Sequence, residues 1–524
     1  MSRSILKQSS KIGFFALISR CIAFIREILL IRFLSVGDSS DIFYTAFRIP
    51  NTMRKIFAEG SLSSVLVPAM INSEHTGGKD SLNRLTTLSF IIIESIMFAI
   101  CLVVFFHASW FIKCIAPGFS PEKMAQCASL LKILISFILC MSSGAIFASA
   151  LQSQRKFFMP AIAPSLSNVL YVAALVICLY FKLSIAAFCY CMIVSSFIFF
   201  LLHIIAYMHE GYYFQRADRS TWHEFKIILV QFLPCFFSVG ILEINHFINT
   251  GFASYLPGGS LTLLRYAYQF VNIPIGIITA SLVTVLLPHF SKLRLEQPKE
   301  LAGQLFESIK FVIWTTMPIC FLLGFFSETI FQTLFTGDAA ATSKVLIAQS
   351  IFIAYLVGLL FFSLNKVFLS VFYALQLTHI PVISTFISIT INIVLNQLLM
   401  KYYGAAGIAF SSSVAAIAQT IFFMVFLHLY LKLSWPKSES LTFLMRCLAQ
   451  LTLCCSLFWA SHQSLYFLIE RMSFTLNLYF IRVDQTFFLD QIGSWAWTGP
   501  LSALFLGLMY LTRKNFGIKL TYFD

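Results

Sequence analysis

Hydrophobic positions along this chain fall into long runs, not into alternating or striped patterns. Fourteen runs can be delimited, approximately 12–34, 41–70, 86–110, 129–152, 161–181, 184–208, 225–256, 262–291, 306–331, 345–375, 381–401, 404–432, 441–468 and 496–512. A helix needs about 20 apolar residues to cross a bilayer, and most of these runs supply them. Inside lipid, only helices and closed barrels satisfy their own backbone. Barrel strands of about ten alternating residues do not fit runs this long and uniformly apolar. The pattern predicts an all-α polytopic membrane protein with about fourteen transmembrane helices.

The runs repeat. Ser61–Pro68 (SLSSVLVP) returns as Ser281–Pro288 (SLVTVLLP), Ala150-Leu151-Gln152 as Ala374-Leu375-Gln376, and Ile198-Phe199-Phe200 as Ile421-Phe422-Phe423. The offsets are 288 − 68 = 220, 374 − 150 = 224 and 421 − 198 = 223. Three matches in one order at nearly one offset imply two six-helix lobes in pseudo-twofold repeat around a central cavity. The expected divisions are 1–210, 211–435 and a C-terminal helix pair with its tail at 436–524. An even number of helices per lobe inserts both lobes the same way, a layout that places substrate between the halves.

Composition sharpens this reading. Hydrophobic residues are 59% of the 524 and charged residues 11%, against about 25% charged in a soluble domain. So few charges cannot cover a water-facing surface, which excludes a soluble enzyme, a nucleic-acid binder and a disordered chain. The net charge of +14 then reads as basic residues retained on the cytoplasmic side. Lys and Arg are denser in the connections that share a side with the N-terminus, so both termini are expected in the cytoplasm. The basic start (Arg3, Lys7, Lys11) precedes an apolar run that carries Arg20 and Arg26, and it is expected to remain as the first span. The 13 cysteines lie mostly inside apolar runs and read as small buried hydrophobes.

Ionisable groups within the spans carry the functional signal, because a charge at the bilayer centre costs about 2.5–3.5 kcal/mol on insertion scales. The first segment has Arg20, Arg26 and Glu27; the second has Asp41, Arg48, Arg54, Lys55 and Glu59. Arg20 and Glu27 share a face two turns apart, and Asp41, Arg48 and Lys55 also repeat at seven. Lys55 and Glu59 stand at i,i+4, where mutual pairing is the bland alternative. Five basic groups against three acids leave two positive charges, which call for an anionic guest. Arginine stays protonated when buried and grips phosphate oxygens in pairs. A greasy shell around such a site suits a substrate with a phosphate head and a lipid tail. The second half is sparser, with Glu243, Arg265, Lys366, Asn245, Asn249, Asn392 and Asn396. Prolines 50, 68, 160, 164, 234, 274 and 288 are candidates for bends along a pathway. No GxxxxGK[ST] loop, HExxH helix or other catalytic set is present, and no metal or cofactor is expected.

Ser19–Glu27 (SRCIAFIRE), Asp41–Gly60 (DIFYTAFRIPNTMRKIFAEG) and Val67–Met70 (VPAM) together resemble the N-terminal signature of the MurJ (MviN) lipid II flippases. That family lies in the multidrug/oligosaccharidyl-lipid/polysaccharide exporter superfamily. Ala116–Phe119 (APGF), Met159–Asn168 (MPAIAPSLSN) and Leu286–Lys292 (LLPHFSK) extend the resemblance through about 430 residues. It implies a flippase that moves undecaprenyl-pyrophosphoryl-linked disaccharide-pentapeptide across the bacterial inner membrane by alternating access, for cell-wall synthesis. It implies that Arg20, Arg26 and Arg54 are cavity arginines that hold the pyrophosphate, and that Asp41 is an acid of the outer gate. Glu59 and Lys366 fall on shared polar positions. Gln269 stands where the family has a cavity Arg, with Arg265 one turn earlier and able to reach the same space. Glu243 and Asn392 mark an ion site in the same reading, with a coupling cation or the membrane potential biasing the cycle. Lipid II and membrane lipids are the expected partners, with cell-wall synthesis or division proteins as the implied protein class. The rival readings are an exporter of another lipid-linked oligosaccharide or small molecule, a non-transporting membrane scaffold, and an integral membrane enzyme. An Arg-rich first half speaks against a cationic drug as cargo, and no acid–base set supports an enzyme.

Overall fold

The computed structural model describes residues 22–23, 25–58, 61–296, 300–335, 341–431, 437–471, 475–478, 481–484 and 494–520. Arg20 and Glu59 lie outside the described residues. The chain is a multi-span helical membrane protein. Among the described residues, eight helical stretches are long and apolar enough to cross a bilayer, or nine with the bent pair Ser260–Thr279 and Ser281–Leu293 taken as one span. The described residues divide between Thr262 and Leu263 into two compact units.

In the first unit, α1 (25–34) is followed by α2 (Asp38–Phe57), α3 (Ser61–Phe106), α4 (Ala108–Ile115), α5 (Pro121–Leu134), α6 (Phe137–Ser153), α7 (Phe158–Tyr180), α8 (Ile185–His209) and α9 (Arg219–Ala253). The apolar run 41–70 is thus not one helix, because α2 ends at Phe57 and α3 begins at Ser61. α3 then continues through the polar stretch after residue 70 and breaks at Gly78, whose φ of 69° belongs to the left-handed region. Glycine reaches that conformation without a Cβ penalty. Phenylalanine supplies much of the packing: Phe90 meets Phe147, Phe200 and Phe214, while Phe43 meets Phe47 and Phe188.

α10 (Ser260–Pro274) crosses the division and leads into the second unit. There a π-turn (Ile275–Thr279) precedes α11 (Ala280–Glu296), and the two helical arms meet at 43°. Pro274 explains the bend, since it has no N–H to give and its ring opposes a straight helix. α12 (Leu301–Phe325), α13 (Ser327–Leu334), α14 (Ala341–Ala374) and α15 (His379–Leu431) follow. The core of this unit is built from Phe290, Leu305, Val312, Val367, Phe368, Phe372 and Phe423. α16 (Lys437–Arg471) and α17 (Trp495–Thr512) flank a two-stranded antiparallel hairpin, β1 (Thr475–Leu478) and β2 (Ile481–Asp484), with Thr475 opposite Asp484. Hydropathy gave no sign of this hairpin.

Backbone punctuation repeats at the spacing of the sequence matches. Arg155 (φ 59°) and Gln376 (φ 61°) are both left-handed and 376 − 155 = 221 apart. Each ends a helix: Lys156 N–H donates to the Leu151 carbonyl at 2.9 Å, and Leu377 N–H to that of Phe372 at 2.9 Å. This is the Schellman closure, which satisfies an orphan carbonyl and offsets the roughly 1–2 kcal/mol cost of left-handed backbone in a non-glycine residue. Lys182 (φ 52°), between α7 and α8, is matched by Gly404 (φ 54°), which breaks α15, at 404 − 182 = 222.

Candidate functional site

The polar residues of α2 and the chain from Glu243 to Thr262 meet as rungs of a ladder within the first unit. At the top, Gly37 and Ser40 close a turn that starts α2, with Ser40 Oγ donating to the Gly37 carbonyl at 2.8 Å. Asp41 is one residue further on and only 2% exposed. Its Oδ2 accepts Gly259 N–H at 2.8 Å, while its Oδ1 accepts Thr262 N–H at 2.9 Å and the Thr262 hydroxyl at 2.6 Å. Lys123 Nζ stands 3.5 Å from Oδ2 and donates to Asp38 at 2.8 Å. Four donors converging on two oxygens make a site for a carboxylate, because an ionised carboxyl only accepts. Gly259 adopts φ +91° to present its N–H, and an added Cβ would meet Val36 Cγ1 at 3.0 Å.

Two turns along α2, the Arg48 guanidinium donates to Thr250 Oγ1 at 2.9 Å. Two turns further, Lys55 Nζ donates to Glu243 Oε1 at 2.8 Å, with Thr52 Oγ1 3.5 Å from Oε2. The stride of seven seen in the sequence therefore places Asp41, Arg48 and Lys55 against one antiparallel stretch of chain. Lys55 takes Glu243, a residue 188 positions away, as its ion-pair partner. The local pairing with Glu59 considered from the sequence falls on a residue outside the described set.

Arg26 sits elsewhere in the same unit. Its Nη1 donates to Asn168 Oδ1 at 2.8 Å, its Nη2 lies 3.4 Å from Glu27 Oε2, and its guanidinium is 5.9 Å from the centre of the Tyr171 ring. Asn168 closes the MPAIAPSLSN motif at the start of α7, so that motif supplies the arm holding Arg26. The shortest bond to Arg26 comes from an amide, and 30% of its side chain is exposed. Arg54 donates to Asn51 Oδ1 at 2.9 Å, one turn back on α2. The APGF motif forms the turn between α4 and α5, where Gly118 N–H donates to Ser254 Oγ at 2.9 Å.

The remaining candidates lie in the second unit. Arg265 and Gln269 are one turn apart on α10, both half-buried, and Lys366 is half-buried on α14. Asn392 is fully buried and accepts from Ser412 Oγ at 3.4 Å. Beside Lys366 in sequence, Asn365 donates to the Ala416 carbonyl at 3.0 Å and accepts the Thr420 hydroxyl at 2.8 Å. Sequence reasoning missed Lys123, Gly259, Thr262, Asn168 and Asn365. Asn168 alone carried a signal, since it ends a quoted motif.

The fold has solved counterparts. A solved structure described as lipid II flippase MurJ in an inward closed conformation superposes with a TM-score of 0.74 at 24% identity, covering 96% of this chain and 99% of that one. An inward-facing multidrug resistance transporter of the MATE family, MOP superfamily, gives 0.65 at 15% identity, covering 80% of this chain and 100% of that one. The fold is thus that of multi-span transporters of this kind. The family model described as lipid II flippase MurJ matches residues 31–482. A probable lipid II flippase MurJ of Rhizobium meliloti (strain 1021) is 30% identical over 420 residues, which are 79% of this chain and 78% of that protein. The chain belongs to the MurJ family of lipid II flippases, and is a transporter rather than an enzyme.

Proposed function

We propose that this flippase carries lipid II between leaflets of the bacterial inner membrane by alternating access, with Arg26, Arg20 and Arg54 clasping the pyrophosphate. The observation that carries the reading is the setting of Arg26. Its guanidinium is oriented by an amide and an aromatic ring, and a third of its side chain remains open. A fork with five donors held this way has capacity for phosphate oxygens. Arg265 and Gln269 are substrate-binding residues in this reading, and Lys366 is a cavity or ion residue. Asp41 and Glu59 are gating residues in this reading. Asp41 supports it by being bonded to the turn that follows α9, so that its contacts break if α2 leaves that turn. Glu243 and Asn392 belong to a coupling-ion function, with Lys55 as the cation that balances Glu243 in the state described.

The topology in this reading has fourteen spans, two six-helix lobes, a C-terminal pair and both termini in the cytoplasm. Asp38–Phe106 and His379–Leu429 are 69 and 51 residues long. At about 1.5 Å per residue each has length for two crossings of a ~30 Å core. Counting each twice, the bent pair once, and adding α1, α9 and α17 gives fourteen.

The test is replacement of Arg26 or Arg54 by Ala in cells depleted of their native flippase. Loss of growth with accumulation of lipid II in the inner leaflet is expected. Arg26→Lys should fail as well, because an ammonium has no planar fork to span Asn168 and a phosphate. Full growth of all three variants would refute the clasp.

A further inference from the structure

Glu94 stands apart from the machinery above. It lies on α3, eight residues into the apolar run 86–110, or about 12 Å along the helix. Its neighbours Ile91 and Phe98, one turn to either side, are 55% and 54% exposed on the outer face of the helix. Glu94 itself is half-buried at the edge of the seam between α3 and α6. Among the described residues it makes no ion pair. Its partner is Ser142 on α6, with Oγ and Oε1 2.6 Å apart.

Proton counting leaves two forms for this contact, and its surroundings choose between them. Ser142 Oγ is 2.9 Å from the Ile138 carbonyl and Ser143 Oγ is 2.7 Å from that of Leu139. Each hydroxyl has one proton, and carbonyl oxygens have none to give. The single Ser142 proton can go to Glu94 Oε1 or to the Ile138 carbonyl, so the 2.6 Å contact fits either a carboxylate that accepts from Ser142 or a neutral acid that donates to it. The neutral acid suits a site beside lipid, where an ionised carboxylate with no cation beside it is costly.

The titratable and charged groups around it fit. Cys101, two turns along α3, donates its Sγ to the Ile135 carbonyl at 3.5 Å. Cys140 of α6 is a half-buried free thiol. His203 of α8 is held by the Phe199 carbonyl at 2.8 Å. Lys132 of α5 lies over Phe105, eleven residues along α3. Arg48 and Lys55 of α2, and Glu243 of α9, are engaged with one another's helices in the ladder. None of these supplies Glu94 with a cation.

We propose that Glu94 is a proton-binding site of this transporter, neutral in the state described, whose release of the proton switches the α3–α6 seam. As a carboxylate, Glu94 would draw the Ser142 and Ser143 protons away from the Ile138 and Leu139 carbonyls. Those carbonyls lie in the first turn of α6, next to the break at Ile135–Ser136 that separates it from α5. Elsewhere in the same unit, Ser195 of α8 donates to the Ser167 carbonyl of α7 at 3.4 Å, and the Tyr171 ring of α7 lies under the Arg26 guanidinium. The α3–α6 seam belongs to the same unit as the proposed clasp at Arg26, so transport should depend on this proton; this last step rests on the flippase reading.

Infrared difference spectroscopy of the full-length protein in lipid nanodiscs tests the site. At pH 7 the wild type should show a protonated-carboxyl C=O band that shifts in D2O, is absent in Glu94→Gln and moves in Ser142→Ala. Equal spectra for wild type and Glu94→Gln would overturn the proposal. Lipid II translocation in proteoliposomes tests the coupling. The wild-type rate should fall about tenfold per pH unit above the midpoint at which the band titrates, while Glu94→Gln, which mimics the neutral acid, stays flat. Coincident pH profiles would overturn the coupling. Failure of every protein to translocate would count against the flippase reading, with the infrared result still deciding the proton site.

Discussion

Replacing Asp41 by Asn should destabilise the first unit more than any other single change in the α2 ladder. The carboxylate accepts from two N–H groups and a hydroxyl within 2.9 Å and faces an ammonium at 3.5 Å. An amide keeps one acceptor oxygen and turns two N–H groups towards existing donors. In one orientation Gly259 N–H and Lys123 oppose it; in the flipped one Thr262 does. Either way a charge-assisted bond worth about 1.5–3 kcal/mol is lost and a buried N–H is left unsatisfied for about 1–3 more. The sum, roughly 2.5–6 kcal/mol, brackets the ~3–5 kcal/mol cost of breaking a buried charge pair. Thr262→Val removes one hydroxyl donor and keeps shape and N–H. Hydrogen bonds between membrane helices average about 0.6 and reach about 1.7 kcal/mol, so this variant should lose about 1–2. Lys123→Met should lose less still, because its contact with Asp41 is long and its shorter bond is to exposed Asp38. At about 2–4 °C per kcal/mol for a unit of this size, Asp41→Asn should melt roughly 10 °C below wild type in nanodiscs. The double variant Asp41→Asn with Thr262→Val should fall short of additivity, since both act on one oxygen cluster. Asp41→Asn melting with wild type, or Thr262→Val proving the worse of the two, would refute this account of the carboxylate.

Two further outcomes are expected. Glu243→Gln or Lys55→Met alone should lower the melting temperature, while the double variant recovers most of the loss, because a single change strands the partner charge; Lys55 is 36% exposed, which limits the effect to about 1–2 kcal/mol, and equal melting of single and double variants would count against the pair. The connection from α8 to α9, outside the spans, should loosen in acid. There the Lys156 ammonium holds the Glu210 carboxyl below its ordinary range, and the N–H and hydroxyl of Thr221 hold Asp218 below its own. Both are depressed acids, so their contribution is complete above about pH 5 and is lost as pH falls below about 4. Pepsin cleavage near residues 210–221 should therefore rise steeply over that window, and Glu210→Gln should flatten the rise.

Much of this fold could be read before any coordinates, and for one reason. Lipid forces the backbone into helices, so apolar runs report spans directly. The breaks were less legible. Gly78 and Gly404 interrupt helices where the apolar runs also divide, but the Ile135–Ser136 break carries neither Gly nor Pro and lies inside the run 129–152. The candidate site divides the same way. The stride Asp41, Arg48, Lys55 was visible because it obeys helical geometry within twenty residues. Its partners were not, because Glu243, Thr250, Gly259 and Thr262 lie about 190–220 residues away. Lys123 reads from sequence as an ordinary loop lysine, and nothing in Thr262 distinguishes it from other threonines. Lys55 shows the same limit: its ion-pair partner Glu243 is 188 residues away, where no helical spacing points to it.

The ladder also shows why so greasy a chain keeps polar seams. Lipid tails are as apolar as Leu or Phe, so burying phenylalanine between helices in a membrane gains little over leaving it in lipid. The 58 phenylalanines fill space and pack edge to face, but most would pack nearly as well after a slip along the helix. Asp41, Arg48 and Lys55 would not. Moving α2 by one residue rotates all three by about 100° and parts them together from Gly259–Thr262, Thr250 and Glu243. Register in the first unit is therefore held by a few polar contacts spaced two turns apart. Such contacts are directional and all-or-none, so a carrier that must open and reclose can break them together and find the same register again on return.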